Sequence, residues 1–565
     1  MSATKAPHVV LLAGPGAGHV LPMAEFARRL AKNHGFTATI ITHSSLSSPT
    51  QMYASVLASL PASVTTAALP AVPLDDLPAD ARVETRMLTV VTRGLPNLRA
   101  LLAELVRQRG HDVVAFLADM FCAQAFPLAA DLGVPPYILF LSNLVLLSLM
   151  LHLPELDGAT TCEYRDLLEP LRLPGCVPLR GADILDTIQD RSNPAYALMV
   201  EAARHFVLAH GFVVNTFDGM EHDTIAAFQE LLDKGVYPPV YPVGPFVRPC
   251  SDDAAAQHGC LRWLDDQPDG SVLYVCFGSG GMLSVEQTAE LAAGLEACGH
   301  RFLWVMQFPR DKDSSAAYLD TAGNSDNDPL SFLPEGFNER TKGVGLCVPK
   351  WAPQVEVLHH RAVGGFLSHC GWNSTLEAVD AGVPMVAWPL FAEQRMNAVM
   401  LAERGGMALR PASGKDGRWV VRSEEVAVVA RELMAGEKGK AARKKATDMQ
   451  KVAAEALTLE GPSRMALAAI VNKWKGAHGG AGKEPSSLLL RAMAPVHAQA
   501  HAPHMVVLTS PGAGHIVPVA EFAARLAAHH GVTATVVTFT NLSSPKHSSP
   551  LATLPPGVSV AKLRR

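Results

Sequence analysis

The chain makes no ordered use of cysteine. Its nine cysteines are scattered from Cys122 to Cys370 without a CxxC pair, an odd, unspaced set that excludes a disulfide framework or a zinc ribbon and suits thiols in a reducing compartment. An excess of charge of one sign is also missing. Lys and Arg number 48 against 53 Asp and Glu, and the two signs are interspersed, so there is no basic stripe for a nucleic acid. Long apolar runs are absent as well. The most membrane-like stretch, residues 137–153, is broken by Ser142, Asn143, Ser148 and His152 and falls short of the roughly 20 apolar residues of a span. It reads as a buried strand followed by a helix. Residues 8–13 are apolar but too short for the core of a signal peptide, and they run directly into Gly14-Pro15-Gly16. These absences predict a cytoplasmic monomer with no nucleic-acid or membrane partner.

At 565 residues the chain exceeds what one hydrophobic core holds, so two domains and a remainder are expected. β-branched apolar runs at 9–12, 37–42, 113–117 and 136–141 alternate with helical stretches such as 21–32, the pattern of βαβ units on a parallel sheet. A Pro-, Gly- and Asp-rich passage over 242–253 reads as a linker. Alternation restarts with strands at 271–277, 302–306, 364–368 and 385–388 and helices at 287–297 and 375–381. Residues 311–328 are polar and loop-like, 420–456 are helical and charged, and 476–502 are Gly-, Ala-, Ser- and His-rich with no sign of order. The expected organisation is a domain over 1–247, a linker over 248–258, a second α/β domain over 259–475, a disordered linker over 476–502 and a remainder over 503–565. Two similar α/β halves leave a cleft between them, a common ligand site.

The remainder repeats the beginning. Residues 504–545 match residues 8–49 at 26 of 42 positions, through Pro15-Gly16-Ala17-Gly18-His19 and Pro511-Gly512-Ala513-Gly514-His515. A single period near 500 residues is not a solenoid. It reads as a truncated second copy that stops after a strand, a helix, a strand and a loop, with Met493 where a second initiator would stand.

Gly14 to His19 follows the first strand and opens a helix, as a dinucleotide loop does. The third glycine of GxGxxG is missing, with Leu21 in its place, and the second strand ends in Thr42-His43-Ser44-Ser45 with no acid to hold a ribose. A nicotinamide enzyme is therefore disfavoured. His19 instead sits on a glycine-opened turn at the C-terminal rim of the sheet, where a ligand can approach. Asp119, two residues past the strand at 113–117, lies on the same rim. Alone it can cap the next helix. Paired with His19, it can fix the imidazole tautomer and leave the other nitrogen as a base.

The richest segment runs from residue 351 to 394, WAPQVEVLHHRAVGGFLSHCGWNSTLEAVDAGVPMVAWPLFAEQ. Within it a strand at 364–368 leads through His369-Cys370-Gly371-Trp372 into a helix at Asn373-Ser374-Thr375, whose free N–H groups suit a diphosphate. His369 can donate to a phosphate oxygen. Glu377, one turn in, can accept from ribose hydroxyls, and Trp351 offers a face for a base. Glu393 and Gln394 form an acceptor-rich pair for sugar hydroxyls. Each alone has an ordinary reading as a cap, a core aromatic or a solvated face; together in 44 residues they do not. Ser279, in Phe277-Gly278-Ser279-Gly280-Gly281, adds a second small-residue phosphate turn.

This window resembles the signature box of the plant family-one UDP-glycosyltransferases. The similarity runs from about residue 5 to 475 and takes in Leu173-Pro174-Gly175-Cys176-Val177-Pro178 and Phe332-Leu333-Pro334-Glu335-Gly336-Phe337; the hydroquinone, arbutin-forming branch is nearest. The resemblance implies an α/β GT-B fold of two Rossmann-like domains. It also implies an inverting, metal-independent transfer of glucose from UDP-glucose to a phenolic hydroxyl or an amine, with no cofactor. It casts His19 as catalytic base and Asp119 as its partner. Trp351 and Gln354 match uridine contacts, Ala352 lies among the UDP-sugar contacts, and Glu377 matches the ribose ligand. His369, Asn373, Ser374 and Ser279 match diphosphate contacts, and Trp372, Glu393 and Gln394 sugar contacts. Gln394 in that place, where a galactose-user has His, is similar to a glucose-user's choice. The acceptor pocket is expected near Glu84, Phe121 and residues 144–147. One departure is Gly14, where close relatives tend to carry Ser and the repeat keeps Ser510; it is expected to remove a hydroxyl near the cleft and bear on acceptor preference. The rival reading is a nucleotide-sugar-binding fusion product impaired by its tail.

Overall fold

The computed structural model describes residues 6–46, 56–78, 80–248, 250, 258–309, 328–411 and 420–478, and the backbone of 504–508, 533–539 and 558–563. The chain divides into two compact units, Met1–Gly482 and Lys483–Arg565. The polar stretch at 311–328 and the stretch at 476–502 lie almost wholly outside the described residues.

The first unit carries two parallel sheets. One has seven strands in the order β3-β2-β1-β4-β5-β6-β7: His8–Leu12 (β1), Thr37–His43 (β2), Val64–Leu69 (β3), Val113–Ala118 (β4), Pro136–Phe140 (β5), Phe212–Val214 (β6) and Val240–Pro242 (β7). The other has six in the order β10-β9-β8-β11-β12-β13: Val272–Cys276 (β8), Arg301–Met306 (β9), Gly345–Pro349 (β10), Val363–Ser368 (β11), Met385–Ala387 (β12) and Ala408–Leu409 (β13). β1, β4, β5, β8 and β11 are buried along their whole length, because helices cover both faces of each sheet. They therefore read as unbroken apolar runs rather than alternating ones.

In both sheets the strand order reverses at one place, between β1 and β4 in the first and between β8 and β11 in the second. Outside the carboxyl ends of strands at such a switch point the two flanking loops diverge and leave a crevice. His19 and Asp119 follow β1 and β4. Ser279 and His369 follow β8 and β11. Topology alone thus brings the expected residues to two crevices.

Helix Ala17–His34 starts four residues earlier than expected and carries Pro22 within it. A proline lacks the N–H that would satisfy the carbonyl four residues back, here that of Gly18, and this explains why residue 21 looked like the start.

The last helix of the unit overturns part of the expected boundary at 475. Pro462–His478 packs on the first sheet, not the second. Leu467, Ile470, Val471 and Trp474 are buried in one cluster with residues of β1, β2 and β4, and Trp474 meets Tyr137 and Phe36 edge-on at 5.4 and 6.1 Å. The spacing i, i+3, i+4, i+7 is that of a single apolar stripe. His478 closes the contact on Asp112 at 3.0 Å, beside the start of β4 and so at the rim opposite Asp119. No helix among the described residues is long and apolar enough to cross a membrane.

In the second unit His504–Leu508 (β14), Thr533–Phe539 (β15) and Val558–Leu563 (β16) form a parallel sheet in that order. Its register copies the first sheet: His504 pairs with Thr533 as His8 does with Thr37, and Ala534 with Val558 as Ala38 does with Val64. The copy therefore includes a third strand beyond the expected strand, helix, strand and loop. It was missed because the copy is two residues shorter between its second and third strands, which puts 558–563 out of step with 64–69 although three of the six positions are identical.

Candidate active site

His19 Nδ1 lies 2.9 Å from Asp119 Oδ2. The Asp119 carboxylate is fully buried and its other oxygen accepts the Phe121 N–H at 3.0 Å. The two readings of this aspartate, helix cap and histidine partner, both hold, one on each oxygen. Burial by itself would lower the His19 pKa, but the Asp119 charge and hydrogen bond, with the Glu393 charge beyond, lift it above the ordinary histidine value. With Nδ1 engaged, Nε2 is the nitrogen left to take a proton. Phe121 meets the imidazole edge-on at 5.3 Å.

Gly14 explains the closeness of the pair. A Cβ there would stand 2.6 Å from Asp119 Oδ1 and 3.4 Å from His19 Cγ. The departure from Ser thus faces the Asp119 carboxylate, and Gly14 is not among the residues lining the cavity.

Across the cavity, His369 closes β11. Burial pushes its pKa down to about 4, so the ring is neutral, and its Nδ1 sits 3.2 Å from the Ser368 hydroxyl. A hydroxyl donating to Nδ1 leaves the ring proton on Nε2, a donor for an anion. The ring is held between two glycines. A Cβ on Gly371 would approach Nε2 to 2.5 Å, and one on Gly278 would approach Cε1 to 2.7 Å. Neither glycine was singled out from the sequence, although both stand beside residues that were.

Helix Trp372–Ala381 presents its N-terminus next to this ring. Asn373 Nδ2 reaches the carbonyl of Gly18 in the opposite lobe at 3.5 Å, the carbonyl that Pro22 leaves free. Its Oδ1 is buried without a protein partner. Gln354 Nε2 donates to Ser374 Oγ at 2.9 Å and to Glu377 Oε2 at 2.6 Å, and burial raises the Glu377 pKa. Trp351 stands 43% exposed with the His258 ring 4.9 Å away, and Ala352, next in the chain, is buried.

A cavity of about 260 Å³ joins the two rims. His19, Glu84, Phe121, Ser279, His369, Trp372, Asn373, Ser374, Glu393 and Gln394 line it, and Leu146 alone of residues 144–147 does so. Trp351, Ala352, Gln354 and Glu377 are outside this lining and continue the site along helix Trp372–Ala381. Asp119 lies behind His19.

Two sugar-contact expectations change in detail. The Trp372 Nε1–H donates to the Asn215 carbonyl at 2.7 Å, so the indole offers the cavity a flat face and no donor. Gln394 Oε1 accepts the N–H groups of Leu390 and Phe391 at 2.8 and 3.1 Å, which leaves its amide NH₂ outward. The pair is therefore one acceptor and one donor, not two acceptors. Glu393 Oε1 accepts the Ser142 hydroxyl at 3.1 Å, and Asn143 Nδ2 donates to Asn397 Oδ1 at 2.5 Å. The sequence did signal these two residues, as polar interruptions of an apolar run. Of the four non-glycine residues with positive φ among the described residues, Lys350, Cys370 and Ala392 flank Trp351, His369 and Glu393, the clustering of strained backbone expected at a binding site.

Two parallel sheets face across one cavity, with a buried His–Asp pair on one rim and a neutral histidine beside a helix N-terminus on the other, the layout of a two-lobed group-transfer enzyme. The family profile described as UDP-glucoronosyl and UDP-glucosyl transferase matches residues 201–411. The hydroquinone glucosyltransferase of Rauvolfia serpentina is 47% identical over 83% of this chain and 98% of its own. UDP-glycosyltransferase 72B1 of Arabidopsis thaliana is also 47% identical, over 84% and 98%. Among solved structures, a Polygonum tinctorium UDP-glucosyltransferase capable of glucosylating indoxyl, in complex with 3,4-dichloroaniline, superposes with a TM-score of 0.76 at 44% identity, covering 84% of this chain and all of that one. Phytolacca americana UGT2 with UDP-2-fluoro-glucose and pterostilbene gives 0.74 at 42% identity, covering 84% and all. The chain belongs to the plant family-one UDP-glycosyltransferases, with their GT-B fold.

Proposed function

We propose that the enzyme transfers glucose from UDP-glucose to a hydroxyl of a small phenol with inversion, giving a β-glucoside. The observation that carries this is the opposition of the His19–Asp119 pair and the His369 cradle across one small cavity. His19 Nε2 takes the acceptor proton while the acceptor oxygen bonds to the anomeric carbon. The bond from that carbon to the diphosphate oxygen breaks, and UDP departs with the electron pair from the opposite face. Asp119 stabilises the imidazolium. The leaving diphosphate is met by His369, Ser279 and the N–H groups at Asn373 and Ser374, donors fixed before the reaction starts. Trp351 and Gln354 hold the uracil, Glu377 the ribose, and Trp372, Glu393 and Gln394 the glucose. A phenol suits an imidazole base because its proton is already fairly acidic, with a pKa of about 10. The names of the relatives and the ligands of the neighbouring structures, a stilbene and an aniline, support an aromatic acceptor and leave room for an amine.

Glu84 supports a narrower class. It is buried in the acceptor end of the cavity, where burial raises its pKa and favours the neutral acid. Oε1 accepts the Thr187 hydroxyl at 3.0 Å, and Oε2 has no protein partner. A neutral carboxyl here can pair with a second polar group on the ring, as in a hydroquinone. UDP-glucose offered with a panel of phenols and anilines, with product detection, is expected to give β-glucosides of phenols carrying a second hydroxyl most efficiently. Glu84→Leu is expected to reduce that preference about ten-fold, an unpaired buried hydroxyl being the cause. α-Linked products, or preference for aliphatic alcohols, would overturn the reading.

Every residue of the proposed site belongs to the first unit, so the repeat is a passenger in this reading. A chain ended after His478 is expected to match the full chain in kcat/KM within about two-fold. Faster turnover by the shortened chain would identify the repeat as inhibitory.

A further inference from the structure

The Ala392–Gln394 turn belongs to the second lobe, yet part of what fixes it comes from the first. Ala392 has φ 54°, a left-handed conformation that a residue with a Cβ keeps only where its surroundings enforce it. Its carbonyl accepts the Asp186 N–H at 3.0 Å. The Asp186 carboxylate stands between two guanidinium groups, Arg395 Nη1 at 3.4 Å from one oxygen and Arg82 Nη1 at 3.5 Å from the other. Arg395 directly follows Gln394. Arg82 caps helix Val83–Arg109, whose second residue is Glu84, and Thr187, next to Asp186, donates to Glu84. One residue thus grips the turn that holds Glu393 and Gln394 from the opposite lobe, and its immediate neighbours grip the acceptor end of the cavity.

We propose that Asp186 is a positioning residue that latches the Ala392–Gln394 turn across the lobes, so that discrimination between donor sugars depends on a residue of the acceptor lobe. The inference rests on the reading of Glu393 and Gln394 as sugar contacts. Asp186 is not among the residues lining the cavity. It acts through the Ala392 carbonyl and the Arg395 side chain, and an aspartate that merely held the fold together would change stability without changing which sugar is preferred.

The test uses the full chain and three variants. Asp186→Ala removes both ion pairs and keeps the N–H. Arg395→Gln removes one pair from the other side. Asp186→Pro removes the N–H as well; proline fits the first position of the short turn Asp186–Ile188, and Leu185 before it is already extended, with ψ 123°. The measurements are kcat/KM for UDP-glucose and UDP-galactose, the Kd of UDP by calorimetry, and Tm. The ion pairs are partly exposed, so Asp186→Ala is expected to lower kcat/KM for UDP-glucose about five-fold and to narrow the glucose-to-galactose ratio about three-fold. The UDP Kd should stay within about two-fold, since UDP contacts neither Glu393 nor Gln394 in this reading. Arg395→Gln should do much the same, and the double variant little more than Asp186→Ala, because the Asp186–Arg395 pair is already lost in either single variant. Asp186→Pro should exceed either. An unchanged sugar ratio in Asp186→Ala and Arg395→Gln would overturn the latch, as would a UDP Kd that weakens in step with kcat/KM. Should the unaltered enzyme prefer another UDP-sugar, the donor reading falls, and the latch is judged by the same narrowing around that sugar.

Discussion

His19→Ala is expected to lower kcat by 10²- to 10⁴-fold, the range of a lost general base, while UDP binds with nearly unchanged affinity. The separation follows from the fold: His19 stands at the switch point of the first sheet and the diphosphate cradle at that of the second. Single-turnover kinetics with UDP-glucose, and calorimetry with UDP, read the two halves independently. The pH profile carries a second signature. A base must be neutral to accept a proton, and the His19 pKa is raised above its usual value. kcat/KM therefore climbs with pH through that raised value and falls away below it. Asp119→Asn keeps the cap on Phe121 but removes the charge that lifts the imidazole. The acid limb should then move to lower pH, as burial acts unopposed, and the plateau should drop. Full turnover by His19→Ala, or an acid limb that stays in place in Asp119→Asn, would remove the base assignment.

His369→Ala is expected to cost about 10²-fold in kcat/KM for UDP-glucose, the size seen when one fixed donor to a developing negative charge is removed. Its ring is neutral because burial holds the pKa near 4, so it contributes a single N–H whose direction is set by Ser368 and by the glycines on either side. His369→Gln, which keeps an N–H donor on a longer and looser arm, should recover part of the loss. A loss confined to acceptor KM in the alanine variant would place the diphosphate elsewhere.

Much of the architecture was legible because parallel strands buried on both faces write themselves as apolar runs, and because the residues after them are short turns with distinctive chemistry. His19, Asp119 and His369 could be named from the rim positions that β1, β4 and β11 create. What was not legible depends on partners distant in sequence. The orientation of the Gln394 amide is decided by two backbone N–H groups in a turn whose shape only the fold supplies. The Trp372 indole N–H goes to Asn215, 157 residues away. Gly14 stands out in the sequence as a departure from Ser, but what it makes room for shows only when Asp119 is set against it. Helix Pro462–His478 did display its apolar stripe in the sequence, but a stripe does not say which sheet it covers. Asp186 sits in a polar stretch without a motif, and its links to Ala392 and Arg395 exist only when the lobes meet.

That returning helix changes how the cleft can open. The backbone passes from one lobe to the other near residue 250 and comes back between residues 456 and 462, so the halves are joined like a door on two pins. Two connections oppose sliding of one half past the other more than a single connection would. A swing about the line through the two crossings is the motion such a connection favours for admitting the nucleotide and releasing the product.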